Sequence, residues 1–403
     1  ENIKEAQIIF SLINEAGKES DIRFVGGCVR RAICGEKIDD IDLATSLKPD
    51  VLKKKIFKEN IKIIDTGISH GTITVILNKK KFEITTLRKD VVTDGRHATV
   101  EFSSNWKQDA LRRDFTINAI YADIFGRIFD PENGVADLRM GIVKFIGNSE
   151  ERIQEDYLRI LRYFRFFTQY SKIDHEHETI KSIKRNINGL NKISKERIFD
   201  ELKKIIKLKN VYKLFYNNVS KDVILNIFPQ FKYYERLKKA EEIYEKFKIK
   251  YDNILILSLL ILDKSNDYEY FCHKYKLPNE TKDRFKNISL YFEKIKNKNF
   301  YNKKNIKKLI YYNGKDSVKD LLLFSLCANT EINNLDIQNM LIYLESCKVP
   351  KFPISGDYLK NYGYETGETL GRKLKSIEEL WIENDFIIKK EMLDKTLNKS
   401  RKI

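Results

Sequence analysis

The chain has 403 residues, enough to bury a sizeable core and, at roughly 100–200 residues per domain, to divide into two to four domains. Its 42% hydrophobic and 33% charged residues fit a soluble globular protein rather than a disordered one, and no apolar run approaches membrane-spanning length. Lys+Arg outnumber Asp+Glu 75 to 58, a net charge of +17, which suits a polyanionic partner such as nucleic acid and serves solubility equally well. Five scattered cysteines (Cys28, Cys34, Cys272, Cys327, Cys347) show no CxxC spacing and argue against a disulfide framework or a zinc site, which favours a reducing, cytoplasmic setting. The first residues lack a basic region followed by an apolar core, so no secretory signal is expected there.

Residues 3–16 (IKEAQIIFSLINEA) have helical spacing, with Ile9, Leu12, Ile13 and Ala16 on one face and Gly17 as a stop. In residues 23–45 (RFVGGCVRRAICGEKIDDIDLAT), an apolar run ends in Gly26-Gly27, a Val-Arg pair opens a helix, and a short link leads to Asp40-Ile41-Asp42. Glycines let backbone N–H groups approach a phosphate, a helix starting there adds its positive dipole end, and Arg30 offers a fork of donors. In a strand Asp40 and Asp42 would project side by side, with Ile41 and Leu43 turned inward. Two such carboxylates repel one another unless a cation lies between them, and oxygen ligands of this kind suit Mg²⁺ carried in with a nucleoside triphosphate.

Residues 48–57 read as a helix begun by Lys-Pro-Asp, and residues 71–77 and 81–87 as two strands joined by a turn at Asn78. If the second strand lies beside the acidic one, Glu83 is either a third carboxylate near the metal or a partner for an arginine. Residues 88–106 are polar and aperiodic, a long loop with Gly95 permitting a sharp turn. Arg112-Arg113-Asp114-Phe-Thr-Ile-Asn118-Ala119 reads as the start of a helix. Its arginines can hold a triphosphate and its aspartate can accept a hydrogen bond from a ribose 2′-OH, although Arg-Arg-Asp is also a common surface ion-pair cluster.

In Glu155-Asp156-Tyr-Leu-Arg159-Ile-Leu-Arg162-Tyr-Phe-Arg165, a spacing of three places Asp156, Arg159 and Arg162 on one helix face. That pattern is either an ion-pair ladder or a base-reading edge. A carboxylate beside a guanidinium complements the amino group and ring nitrogen shared by cytosine and adenine, and meets like with like on uracil and guanine. Beyond residue 145 the pattern turns helical, as in residues 193–208 and 254–262, with lysine-rich, tyrosine-interleaved stretches suited to RNA or to a solvated face. His175 and His177 read as a solvated helix end, and Pro350 and Pro353 mark a boundary before a glycine-spaced tail.

In family order, GGCVRR, DDIDLAT, HGTITV, FEITTLR, DGRHA, RRDFTINAIYAD, DPENGVADL, EDYLRILRYFRF and SKERIFDEL cover residues 22–205 densely. They resemble the nucleotidyltransferase superfamily that includes DNA polymerase beta, and within it the class II CCA-adding enzymes of the tRNA nucleotidyltransferase/poly(A) polymerase family. The resemblance implies an α+β fold: a β-sheet nucleotidyltransferase head (1–145) followed by an all-α neck (146–208), body (209–348) and tail (349–403). It implies that Asp40 and Asp42 bind catalytic Mg²⁺, that Gly27 and Arg30 bind the triphosphate, and that Arg113, Asp114, Asn118, Asp156, Arg159, Arg162 and Arg165 contact the incoming CTP or ATP. Residues 134–138 would be a hinge that switches base preference, residues 88–97 a flexible loop needed for the final A, and body and tail would hold tRNA. Poly(A) polymerases share these motifs, and an RNA-binding relative without catalysis would too, although retention of both Asp40 and Asp42 speaks against the latter. Arg31 stands where the family usually has aspartate.

Overall fold

The computed structural model describes residues 4–14, 21–58, 60–67, 71–94, 97–250, 252–328 and 334–398. The described chain separates into two compact units, Glu1–Pro229 with Lys274–Lys276, and Gln230–His273 with Leu277–Ile403.

The first unit is built around a mixed seven-stranded sheet. Its strands are β1 (Ile22–Val25), β2 (Ile41–Thr45), β3 (Ile61–Gly67), β4 (Thr72–Leu77), β5 (Lys80–Thr86) and, beyond a hairpin β6 (Arg88–Asp94) and β7 (His97–Phe102), β8 (Tyr121–Ala122) and β9 (Ile128–Phe129). The order across the sheet is β3-β4-β5-β2-β1-β8-β9. Strand β2 lies between β1, antiparallel to it, and β5, parallel to it, with Asp42 opposite Glu83 and Leu43 opposite Ile84. Helices α1 (Lys4–Ile13) and α3 (Pro49–Ile56) cover one face, where Ile9, Phe10, Leu52 and Ile56 meet Leu43, Ile73, Phe82 and Ile84 in one core. Ala16 and Gly17, the expected end of α1, lie outside the described residues. Asn78 and Lys79 both take positive φ, 50° and 67°, the turn geometry whose twist matches a two-residue hairpin.

Two features depart from the sequence expectation. Strand β3 was not legible, because an edge strand pairing with β4 alone needs little apolar alternation. Residues 88–102 are not an open loop but the two-stranded ribbon β6–β7, running from Arg88 opposite Phe102 to Asp94 opposite His97. Backbone hydrogen bonds between adjacent segments carry such a ribbon, so the sequence shows no periodic signal. The turn expected at Gly95 lies outside the described residues.

Among the described residues no strand follows Phe129. The remainder of the first unit is helical: α4 (Trp106–Leu111), α5 (Gly134–Met140), α6 (Ser149–Glu155), α7 (Arg159–Tyr170), α8 (His177–Asn186), α9 (Lys195–Ile206), α10 (Lys213–Tyr216) and α11 (Asn218–Ile227). In the second unit the helix Asn253–Ile261 is apolar all round and buries Leu255 to Ile261, which makes it a core helix rather than a surface one. No described helix is long and apolar enough to cross a membrane.

His175 also corrects the sequence reading. His177 is solvated, but the His175 ring stacks on Phe167 with centroids 3.6 Å apart. Its Nδ1 lies 2.9 Å from Tyr163 Oη and its Nε2 2.6 Å from the buried Ser220 Oγ, so it ties α7 to α11. Burial pushes its pKa down to about 4 from an ordinary 6.5, against the opposing pull of Asp174 and Asn217. Between those values the unfolded chain binds a proton that the folded chain refuses, so this contribution is complete above pH 6.5 and shrinks as pH falls towards 4. Urea midpoints of the wild type and His175→Asn should therefore differ most at pH 7–8 (roughly the full linkage) and converge on acidification.

Candidate active site

Strand β1 ends at Val25, and Gly26 takes φ 68° and ψ −121°, a backbone region that excludes residues with a Cβ. Its N–H donates to the Ile120 carbonyl at 3.2 Å, and helix α2 (Gly27–Ile33) begins at the next residue. A Cβ on Gly26 would lie 3.6 Å from the Asn118 carbonyl and 3.7 Å from Arg113 Nη1, while one on Gly27 would lie 4.0 Å from Arg30 Nη2. The turn is therefore open to two guanidinium groups from separate motifs. Arg30 is buried against Phe166 and Tyr170, 4.7 and 5.0 Å from the ring centroids, and its Nη1 donates to Asn118 Oδ1. Its Nε is buried and has no hydrogen-bond partner. Arg31 pairs with Asp39 at 3.5 Å, in the link that leads to Asp40.

Asp40 is exposed and precedes β2, whereas Asp42 lies within it, half-buried. Burial raises the Asp42 carboxyl above its ordinary range, Glu83 and Asp40 raise it further, and Arg113 and Lys81 oppose them. Glu83, the registered neighbour of Asp42, bonds Lys81 at 2.5 Å rather than an arginine. Asp42, raised by the charges of its acidic neighbours, is an oxygen ligand of the kind that suits a hard divalent cation. Among the described residues no three potential ligands already converge on one point, so phosphate and water oxygens would complete the shell.

Arg112-Arg113-Asp114 follows α4 and opens no α-helix; Phe115 pairs with Phe145 as an isolated bridge, and the helix expected of this motif is a single 3-10 turn, Thr116–Asn118. The residue that organises it is Asp109, 1% exposed, three and four positions upstream, a helical spacing that sequence reasoning passed over. Arg112 Nε donates to its Oδ1 at 2.9 Å, while Arg113 Nη2 at 3.0 Å and Tyr121 Oη at 2.7 Å donate to its Oδ2. Burial would raise the Asp109 carboxyl, but the charges of Arg113 and Arg112 outweigh it and hold the group well below the usual carboxylate range.

Asp114 is likewise buried and held down, burial being outweighed first by Arg162 and then by the Asn118 hydrogen bond. Asn118 Nδ2 donates to Asp114 Oδ1 at 2.8 Å, and Arg162 Nε donates to Asp114 Oδ2 at 2.7 Å. A continuous chain of hydrogen bonds thus runs Arg30–Asn118–Asp114–Arg162, from α2 to α7. Next to it, Thr116 Oγ1 donates to Asp137 Oδ2 at 2.6 Å, and Gly134 packs so tightly that a Cβ would come within 2.2 Å of the Thr116 carbonyl.

Asp156 does not share the expected helix with Arg159 and Arg162, although its carbonyl accepts the Arg159 N–H at 2.9 Å and its charge still reaches Arg162. Asp156 caps the end of α6 with φ −153° and lies in the break before α7, which starts at Arg159. Its own carboxylate favours the break by accepting the Leu158 N–H at 3.2 Å, a local bond that competes with the helix. Each charged member has a separate partner: Asp156 takes Arg197 at 2.8 Å, Arg159 takes Glu155 at 2.5 Å, and Arg165 takes the buried Glu201 at 2.5 Å. Phe166, which no spacing signalled, lies 4.7, 5.8 and 4.0 Å from the guanidinium carbons of Arg30, Arg162 and Arg165. The motif residues of the head and of α7 thus gather around the glycine turn through Arg30, Arg113, Asn118, Asp114 and Arg162. Asp156 and Arg165 instead bond Arg197 and Glu201, both from the SKERIFDEL motif in α9, and Arg159 bonds Glu155 of its own motif.

Residues 22–144 match the model of the poly A polymerase head domain, and residues 174–235 that of a probable RNA and SrmB-binding site of polymerase A. The chain is 34% identical to the mitochondrial CCA tRNA nucleotidyltransferase 1 of Mus musculus, over 94% of this chain and 86% of that one. It is 30% identical to a CCA-adding enzyme of Lactobacillus helveticus, over 93% and 92%. Its fold is that of the Bacillus stearothermophilus CCA-adding enzyme solved with CTP (TM-score 0.75, 23% identity, 99% and 98% of the chains) and of a Thermotoga maritima CCA-adding enzyme solved with tRNA (TM-score 0.66, 20% identity, 99% and 96%).

Asp109→Asn leaves Arg112 and Arg113 largely buried without their counter-charge. The loss expected is about 3–5 kcal/mol of unfolding free energy, read from urea denaturation, because removing one partner strands the other charges.

Proposed function

The chain belongs to the tRNA nucleotidyltransferase/poly(A) polymerase family, and from that premise we propose that it adds C, C and A in turn to the 3′ end of tRNA, taking CTP and ATP and releasing pyrophosphate. The observation that carries this reading is the convergence of Arg30 and Arg113 on the Gly26-Gly27 turn in the strand–helix–strand unit that holds Asp40 and Asp42. Near-full-length identity to CCA-adding relatives selects CCA addition over the poly(A) reading.

In this reading Gly27, Arg30 and Arg113 bind the triphosphate, and Asp114 and Asn118, bonded to one another and to Arg30 and Arg162, hold the nucleotide's sugar and phosphates in register. Asp40 and Asp42 would hold two Mg²⁺ ions, whose positive charge would supply the activation of the attacking 3′ oxygen and the neutralisation of the pyrophosphate leaving group. Glu83 keeps Lys81 beside them and strengthens the negative field on Asp42. Asp156 and Arg159 choose the base, with Arg162 and Arg165 framing it. Residues 134–138 act as the hinge, the β6–β7 ribbon, in place of the loop expected over residues 88–97, serves addition of the final A, and the body (209–348) and tail (349–403) hold the tRNA. The compartment proposed is the cytoplasm.

A tRNA transcript lacking CCA should gain two residues with CTP and stop at three with CTP and ATP, as read on a sequencing gel. A long ladder with ATP alone would instead assign poly(A) synthesis, and no extension despite a tRNA gel shift would leave a binding protein. Asp42→Ala should cut the rate more than about 100-fold while leaving the tRNA gel shift intact, since losing a metal ligand costs more than losing a group behind one. Substantial residual turnover would remove Asp42 from the metal site.

A further inference from the structure

The carboxylate proposed to read the base is held from outside its own motif. Asp156 sits between two helices, where neither repeating ladder fixes it. Its Oδ1 accepts the Leu158 N–H within the turn at 3.2 Å, and its Oδ2 accepts Arg197 Nη2 at 2.8 Å from the first turn of α9. Arg159 does not steady it, because Arg159 Nη1 donates to Glu155 Oε2 at 2.5 Å and to the Arg152 carbonyl at 2.7 Å. The following residue, Tyr157, is seated from the same direction. A Cβ on Gly189 would come within 2.0 Å of Tyr157 Cδ1 and 2.5 Å of its Cγ, so the ring lies flush against that glycine. The Lys192 ammonium stands 5.5 Å from the ring centroid.

We propose that residues 187–197, through Arg197 and Gly189, position the Asp156 carboxylate and thereby set which bases the enzyme admits. The inference rests on the reading of Asp156 as a base-choosing group. A carboxylate has two oxygens and about four acceptor sites. Leu158 and Arg197 take two of them, which fixes the plane of the group and leaves its remaining lone pairs in a set direction. The amino group of cytosine or adenine can donate into that direction, whereas the uracil O4 or guanine O6 placed there meets acceptor against acceptor. Rejection depends on the carboxylate staying in place, since a carboxylate that swings away forgives the wrong base. Arg197 and Gly189 are therefore positioning residues for nucleotide choice, acting through Asp156 and Tyr157.

The test is the ratio of kcat/KM for CTP over UTP on full-length protein with tRNA lacking CCA, alongside thermal melts and tRNA gel shifts. The Arg197 side chain is 28% exposed, so replacing it leaves the apolar core alone. Arg197→Met should lower the ratio about tenfold or more, with tRNA binding and melting retained, and Arg197→Lys should restore part of it. Gly189→Ala should lower it as well, by pushing Tyr157 without removing any charge. An unchanged ratio in Arg197→Met, or an equal loss with CTP and UTP, overturns the proposal. Asp156→Ala separates the two levels. If it leaves the ratio intact, the base-choice reading of Asp156 fails and this proposal with it. If it collapses the ratio while Arg197→Met and Gly189→Ala do not, the positioning proposal alone fails.

Discussion

Charge compensation in a poorly hydrated site is the constraint on which the first unit depends. An isolated ionised group out of water costs several kcal/mol, so each buried carboxylate must meet a guanidinium and each guanidinium a carboxylate, amide or aromatic face. Asp109 answers Arg112 and Arg113, Asp114 answers Arg162, and Glu201 answers Arg165. Arg30 finds Asn118 and two aromatic rings. These bonds make one network out of a glycine turn, an irregular loop and a helix that are far apart in the chain. Because the fork of an arginine has fixed geometry, the network also sets where the unused N–H groups point.

Against that background Asp42 is the exception. Its carboxyl is raised by burial and by acidic neighbours, while the buried aspartates around it are held down by arginines. A site that stores unrelieved negative charge beside stored positive charge suits a substrate that arrives as a metal-bound triphosphate, because the nucleotide brings both the cation and the anion that the two halves lack. The parallel pairing of β2 with β5 creates this, since it is the register that sets Glu83 beside Asp42.

The helical part of the unit turns the same principle to orientation. The break at Asp156 frees a carboxylate from helix geometry, and the segment behind it then has to restrain that carboxylate. His175 does for the later turns of α7 what Arg197 does for Asp156, three residues before its start, joining it to a helix distant in sequence. Rigid anchoring at both ends would serve the base choice proposed for Asp156, since selectivity comes from hydrogen-bond direction as much as from hydrogen-bond number.

Local sequence determined a good deal by itself. The glycine turn, the acidic strand, the hairpin at Asn78 and the helical remainder were all legible, because each depends on a backbone preference or a periodicity contained within a few residues. The family resemblance followed from the order of those motifs. Tertiary structure decided who pairs with whom. A spacing of three predicted Asp156 beside Arg159 and Arg162, yet a local Asx bond broke the helix there, and the three charges took partners 41, 4 and 48 residues away. Asp109 stood at a helical spacing of three and four from its arginines, whereas Phe166, Arg197 and Glu201 carried no periodic signal as site residues, because their roles come from long-range packing that brings unrelated segments to one buried point. Electrostatic satisfaction is a property of that point in space, and the linear chain does not encode it at any fixed spacing.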